Sequence, residues 1–273
     1  MTAERPPDLP DFERPPVVEV GLGAQFEPLG DLTNRHIAEV WNEFREEFPE
    51  WVEQPIISPV FERFGLPRPL NQFSIDLRPA HAPNRALLLD ASKTELIQLQ
   101  SDRFHRNWRK VEVDGVYPRY ERLRDRFQED YRRVEQVLQK RLVPNQWEVL
   151  YLNHIPIGEG DFETQSEVLR QMGAQNSNNF LPQPESTQLA MHYVIEVDDR
   201  PVGRLHVTAV DGFRDQQRVL VLTLTARGVP ASQDLEGVLR FLDLGREWIV
   251  RGFTSVTTPK AHSVWGRRDN GKL

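Results

Sequence analysis

In the run VVEVGLGAQF, Val18, Val20, Leu22, Ala24 and Phe26 alternate with Glu19, Gly21, Gly23 and Gln25, the two-residue period of a strand with one buried face. Pro28 and Gly30 close it. Thr33 or Asn34 then caps a helix whose apolar residues Ile37, Val40, Trp41, Phe44 and Phe48 recur at three and four, and Pro49 ends it. Residues 55–69 carry four prolines without a steady period and read as an irregular connection. Strands are expected over residues 71–77, 85–90 and 95 to about 110. A long amphipathic helix follows from Tyr117 or Pro118, with Leu123, Phe127, Tyr131, Val134 and Leu138 on one side and Pro144 beyond its end.

The order then begins again. QWEVLYLNHIPI reads as a strand and residues 162–172 as a short helix, while the Gly, Asn, Ser and Pro content of residues 173–187 marks a loop. Strands are expected over 189–197, 202–210 and 218–227, the first two joined as a hairpin by Asp198, Asp199 and Arg200. A last helix runs from Leu235 to about Phe253. Each half thus gives strand, helix, three strands, helix. The predicted fold is α+β: two β-α-β-β-β-α units over 17–144 and 145–273, with mainly antiparallel sheet and helices on one face. That order resembles the saddle of the TATA-binding-protein-like fold class. Residues 1–16, with five prolines, read as a flexible, extended tail.

Composition narrows the chemistry. A chain of 273 residues with 38% hydrophobic positions can bury a large core, so wholesale disorder is excluded. It has no cysteine, which removes disulfides, thiolate metal sites and a cysteine nucleophile. No run approaches the roughly 18 apolar residues of a membrane span, and the N-terminus lacks a secretory core, so a cytoplasmic location is expected. A formal net charge of −7 works against indiscriminate nucleic-acid binding and directs attention to local patches.

The strings PPVVEV, QFEPL, LIQLQSDRF, NWRK, YPRY and WEVLYLNHI, in that order, resemble a sporadically distributed family of uncharacterised bacterial proteins. The likeness covers most of the chain and is clearest over residues 96–120; HSVWGR near the C-terminus fits more loosely, and residues 173–187 lie outside it. The resemblance supplies no catalytic residues, and no cofactor is expected. Sporadic occurrence implies a conflict-system role, as an immunity or antitoxin-like partner.

Candidate sites come from the strands. Gln98 and Gln100 share one strand face, with Thr223 and Thr225 at comparable places in the second half, and Glu19 and Glu148 join them opposite the helices; that face is a polar binding surface or a solvated one with satisfied hydrogen bonds. Arg103, Arg106, Arg109 and Lys110 are interleaved with Trp108, which suits single-stranded nucleic acid and equally suits an amphipathic strand. Arg119, Arg122, Arg124 and Arg126 alternate with acids and read as a solvated helix face. No metal site is expected, although His192 and His206 can meet across the hairpin. GLGAQF lies inside a strand pattern and is not a dinucleotide loop, its glycines serving a bulge or a close approach. With no GxSxG, P-loop or kinase signature, the leading expectation is a non-enzymatic binding protein for a protein or small ligand. Nucleic-acid binding and an enzyme built around Glu19, Gln98, Gln100 and Glu148 are the alternatives, and open sheet edges would suit a homodimer.

Overall fold

The computed structural model describes residues 5–65, 85–112, 115–158, 160–172, 186–214 and 216–268. In chain order its elements are β1 (Asp11–Phe12), β2 (Val17–Phe26), α1 (Asn34–Phe44), β3 (Glu50–Gln54), β4 (Arg85–Leu89), β5 (Glu95–Gln100), β6 (Arg103–Arg109) and α2 (Tyr120–Leu138). They continue with β7 (Pro144–Pro156), β8 (Gln188–Val197), β9 (Arg200–Arg214), β10 (Gln217–Gly228), α3 (Leu235–Val256), α4 (Pro259–Val264) and β11 (Arg267–Arg268). Nine strands form one sheet in the order β3-β4-β5-β6-β2-β7-β10-β9-β8, and every neighbouring pair is antiparallel. The chain is therefore α+β with a large antiparallel sheet.

Because side chains alternate across a sheet, one register row fixes which residues share a face. Trp51, Leu88, Ile97, Arg106, Leu22, Val149, Ala226, Leu205 and Tyr193 stand opposite one another from edge to edge, and this row, buried from Leu88 to Leu205, faces the helices, with Tyr193 exposed at the β8 edge. From α2, Phe127 and Tyr131 pack on Phe104, ring centroids 5.4 and 5.7 Å apart. From α3, Phe241 stacks on Trp147 at 4.7 Å, and Trp41 of α1 meets Trp51 at 5.9 Å. Thr33 caps α1 as expected, its backbone N–H donating to His36 Nδ1 at 3.1 Å. Among the described residues, no helix is long and apolar enough to cross a membrane.

Several expectations change. The stretch expected as one strand over 95–110 is the β5–β6 hairpin, turning at Ser101 and Asp102. Across that tight turn the apolar positions shift from odd, Ile97 and Leu99, to even, Phe104 and Trp108, a change of phase that one continuous strand does not allow. Strand β3 falls between Pro49 and Pro55, where a half-exposed edge strand has little apolar signature. The short helix expected over 162–172 is two single 3-10 turns, Gln165–Glu167 and Arg170–Met172. The strand expected over 71–77 lies outside the described residues. From Arg5 the proline-rich start is neither extended throughout nor a loose tail: it turns at residues 6–9, Leu9 N donating to Pro6 O at 3.2 Å, Leu9 and Phe12 are buried, β1 pairs with β11, and Phe12 lies edge-on to Phe253 and Trp265.

Candidate functional site

The row next to the helix-covered one points to the opposite face. It runs Val52, Leu87, Gln98, His105, Gly23, Glu148, Arg227, Arg204, Val194, so the six strands at the centre of this face carry polar residues or, on β2, glycine. Glu19, Gln98, Gln100, Glu148, Thr223 and Thr225 all belong to this face, as the alternation predicted.

Hydrogen bonds link the first half of the face in one direction. Arg85 donates to Gln98 Oε1, Gln98 Nε2 to Asn107 Oδ1, and Asn107 Nδ2 to Glu19 Oε1, each at 2.8 Å. Four strands are thereby stitched side chain to side chain. Burial raises the Glu19 carboxyl above its ordinary pKa despite the Asn107 bond and the Arg109 charge. Gly21 and Gly23 make this possible: a β-carbon on Gly21 would stand 2.8 Å from Asn107 Nδ2, and one on Gly23 2.5 Å from the His105 ring. The close approach expected of these glycines is thus to side chains of β6.

A short segment of the chain itself lies across the next row. Gln100, Arg103, Gln25 and Gln146 are register partners on β5, β6, β2 and β7. Gln100 Oε1 accepts from Ile57 N at 3.0 Å and its Nε2 donates to Ile57 O at 2.8 Å. Arg103 donates to Ser58 O at 3.2 Å, Gln25 Oε1 accepts from Val60 N at 3.0 Å, and Gln146 Oε1 from Glu62 N at 3.2 Å. The spacing explains the fit. Three steps between adjacent strands cover about 14 Å, close to the reach of about 16 Å for five extended residues, so residues 57–62 cross the strands with one anchor on each. Neighbours orient the amides: Gln25 Nε2 donates to Asn145 Oδ1 at 3.1 Å and Gln146 Nε2 to Asn145 O at 2.9 Å.

The segment ends in a carboxylate clamp. Glu62 is ion-paired to Arg204, its Oε1 lies 2.6 Å from His206 Nε2, and Arg227 stands 3.7 Å away. Its side chain is only 3% exposed. Burial alone would raise its pKa, but the His206 bond and the charges of His206, Arg204 and Arg227 outweigh that and leave it below the ordinary carboxylate range. Glu148, ion-paired to Arg227, is depressed in the same way against its own burial. Under the segment, Gly23, Gln25, Arg103, His105, Glu148 and Arg227 enclose a cavity of about 10 Å³, at most a single water's worth. With residues 57–62 in place, the side chains expected for catalysis are paired, and this gap beside Glu148 cannot admit a substrate.

The basic and aromatic residues Arg103 to Lys110 divide between two faces. Trp108 and Arg106 point under the helices, both buried, and Arg106 pairs with Glu95 and Asp130. Arg103 is engaged by Gln25, and Arg109 reaches Lys93 O. The segment therefore presents no joined surface of stacking rings and cations. Arg124 grips Asp243 of α3 with two bonds, so the arginines of α2 serve helix packing as well as solvation. His192 and His206 do meet, rings 5.0 Å apart and edge to face, but His206 Nε2 is engaged by Glu62; among the described residues no group of three or more His, Asp or Glu is placed to hold a metal.

Sequence reasoning named Gln98, Gln100, Glu19 and Glu148 but missed Glu62, Arg204, Arg227 and the roles of Gln25, Gln146 and His105. Gln25 and Gln146 sit at the polar phase of their strands, a signal the alternation does contain. Glu62, inside a proline-rich connection, carries none. No protein-family model, no curated protein and no solved structure matches this chain.

Proposed function

We propose that the protein is a non-enzymatic binding protein whose working surface is the sheet face opposite the helices, and that this surface is built to receive an extended polypeptide. One observation carries the reading: Gln100, Arg103, Gln25 and Gln146 hold residues 57–62 through main-chain atoms alone. Side-chain amides that pair with both N–H and C=O act as strand edges turned through a right angle, and they accept any sequence whose backbone is extended. The chain's own segment occupies the surface here. An immunity- or antitoxin-like role, in which such a face captures part of a partner protein, is one use of it.

We also read the sheet as two copies of one plan. Outward from its middle, the order is β2, β6, β5, β4 on one side, with β3 an additional edge strand beyond β4, and β7, β10, β9, β8 on the other, with α2 and α3 each following the last strand of its half. What supports a saddle-like duplication is this matching order, together with the central antiparallel β2–β7 pair.

The test is a full chain in which Ile57, Val60 and Glu62 are all replaced by proline, which removes the N–H groups that the amides engage, titrated with a synthetic peptide of residues 56–64. Binding should survive replacement of the Val60 and Phe61 side chains in the peptide and vanish on N-methylation at the Val60 and Glu62 positions. Absence of binding at millimolar peptide, with the proline variant folded by circular dichroism, would sink the proposal.

A further inference from the structure

We infer that Arg204, His206 and Arg227 form a carboxylate-recognition site, and that the ligand class of the sheet face is an extended peptide bearing an acidic side chain where Glu62 now sits. This rests on the reading of the face as a peptide-binding surface and adds the specificity that backbone contacts cannot supply.

Arg204 and Arg227 stand directly opposite each other on β9 and β10, an arrangement in which like charges repel unless an anion lies between them. Glu148 answers Arg227 alone among this pair in the close contacts, so a second carboxylate is needed against Arg204. His206, on the same strand as Arg204, supplies a further contact to that carboxylate, and His192 packs edge-on against its ring. Arg204, His206 and Arg227 all come from β9 and β10, whereas Glu62 arrives from the connection that follows β3. The recognition groups thus belong to the sheet and the carboxylate to the segment laid on it.

Between the backbone anchors and the clamp, little of the segment's own character is used. Val60 is 39% and Phe61 48% exposed, so the apolar side chains that would commit these residues to a permanent core face away from it. What the face reads is an extended backbone and one carboxylate, which any acidic peptide of the right phase supplies. Being tethered, residues 57–62 compete at an effective concentration of roughly millimolar, which masks the intrinsic affinity of the site.

The experiment compares two peptides of residues 56–64, one with Glu and one with Gln at the Glu62 position, on the full chain carrying Glu62→Ala; Glu62→Gln, which keeps the side chain's size, carries the same comparison if the first variant does not fold. Hydrogen exchange at Ile57 and Val60 reports whether the segment has left the face. The expected result is faster exchange and a Glu peptide bound roughly tenfold or more tightly than the Gln peptide, since a charge-assisted bond exceeds a neutral one by that order. Adding Arg204→Ala should erase the difference. Equal binding of both peptides overturns the carboxylate site and leaves the backbone-reading surface standing. Binding of neither, with exchange accelerated, overturns both. Unchanged exchange means the carboxylate does not hold the segment, and overturns the inference as well.

Discussion

The imidazole of His105 lies over Gly23, with Cδ2 and Nε2 both 2.5 Å from the place a β-carbon on that glycine would take. The ring's position therefore depends on a residue of the neighbouring strand having no side chain. It lies between β6 and the Glu148 charge on β7, the register partner of Gly23, in space that any other residue at position 23 would fill.

Gly23→Ala tests this packing. The methyl group has to displace the ring, and overpacking of this kind costs about 1–3 kcal/mol. Urea unfolding should register that loss in the single variant and much less of it when His105→Ser is made in the same chain, because contacting sites are non-additive. Additive losses would mean that the ring yields freely and the glycine serves something else.

The same imidazole sets one pH dependence. Burial lowers the His105 pKa to about 4, against the pull of Glu148 and with the push of Arg103, Arg227 and Arg85. A histidine with a depressed folded pKa contributes stability that is complete above its unfolded value near 6.5 and is lost as pH falls toward 4. Asp130 acts in the opposite direction. Its burial raises the carboxyl to about 6 despite Arg106 and Arg133, so its contribution is complete below the unfolded value of 3.8 and is lost as pH rises through 6. Between pH 4 and 6.5 the two oppose each other. His105→Gln should flatten the acid-side decline in denaturation midpoint, and Asp130→Asn should steepen it; the reverse pattern would contradict the signs assigned here.

How far the sequence discloses this site follows from where its residues sit. Gln98, Gln100, Glu19 and Glu148 are legible because a strand's period assigns them a face, and the same rule places Thr223 and Thr225. The β5–β6 turn is legible only as a change of phase, from apolar Ile97 and Leu99 at odd positions to Phe104 and Trp108 at even ones, which the reading of 95–110 as one strand passes over. Trp108 and Arg106 mislead for a related reason: a basic, aromatic string looks like one surface until the pleat sends Arg106 to Asp130 and Arg103 to Gln25. Glu62 is invisible to periodicity altogether. Its partners Arg204 and Arg227 are polar positions of ordinary strands, and only the sheet order, which brings β10 beside β7, gathers them with Glu148.

Arg106 offers a measure of what the helix-covered face tolerates. Its side chain is 2% exposed and makes ion pairs to Glu95 and, at 3.0 Å, to Asp130, with the Phe48 ring 5.1 Å from the guanidinium. Removing one member of a buried pair strands the other, at a cost of about 3–5 kcal/mol. Arg106→Met should lose stability of that size in urea. Arg106→Met with Asp130→Leu should recover most of it, since two apolar side chains of similar volume leave a single charge, Glu95, at the solvent margin. A double variant no more stable than the single one would show that the network supports the sheet through geometry rather than charge balance.

Gln100→Leu separates the segment from the sheet beneath it. Leucine keeps much of the side-chain volume but removes both bonds to Ile57, leaving that residue's N–H and C=O to water. Each bond is worth about 0.5–1.5 kcal/mol, so the local opening equilibrium at residues 57–60 should shift by roughly tenfold or more. Global unfolding should move less, because β5 keeps its ladders to β4 and β6. Amide exchange resolves the two scales: faster exchange at Ile57 and Val60 with near-native protection along β5 is the expected outcome. Equal acceleration across β5 and the segment would mean that residues 57–62 are part of the sheet's cooperative unit and cannot leave the face without unfolding it.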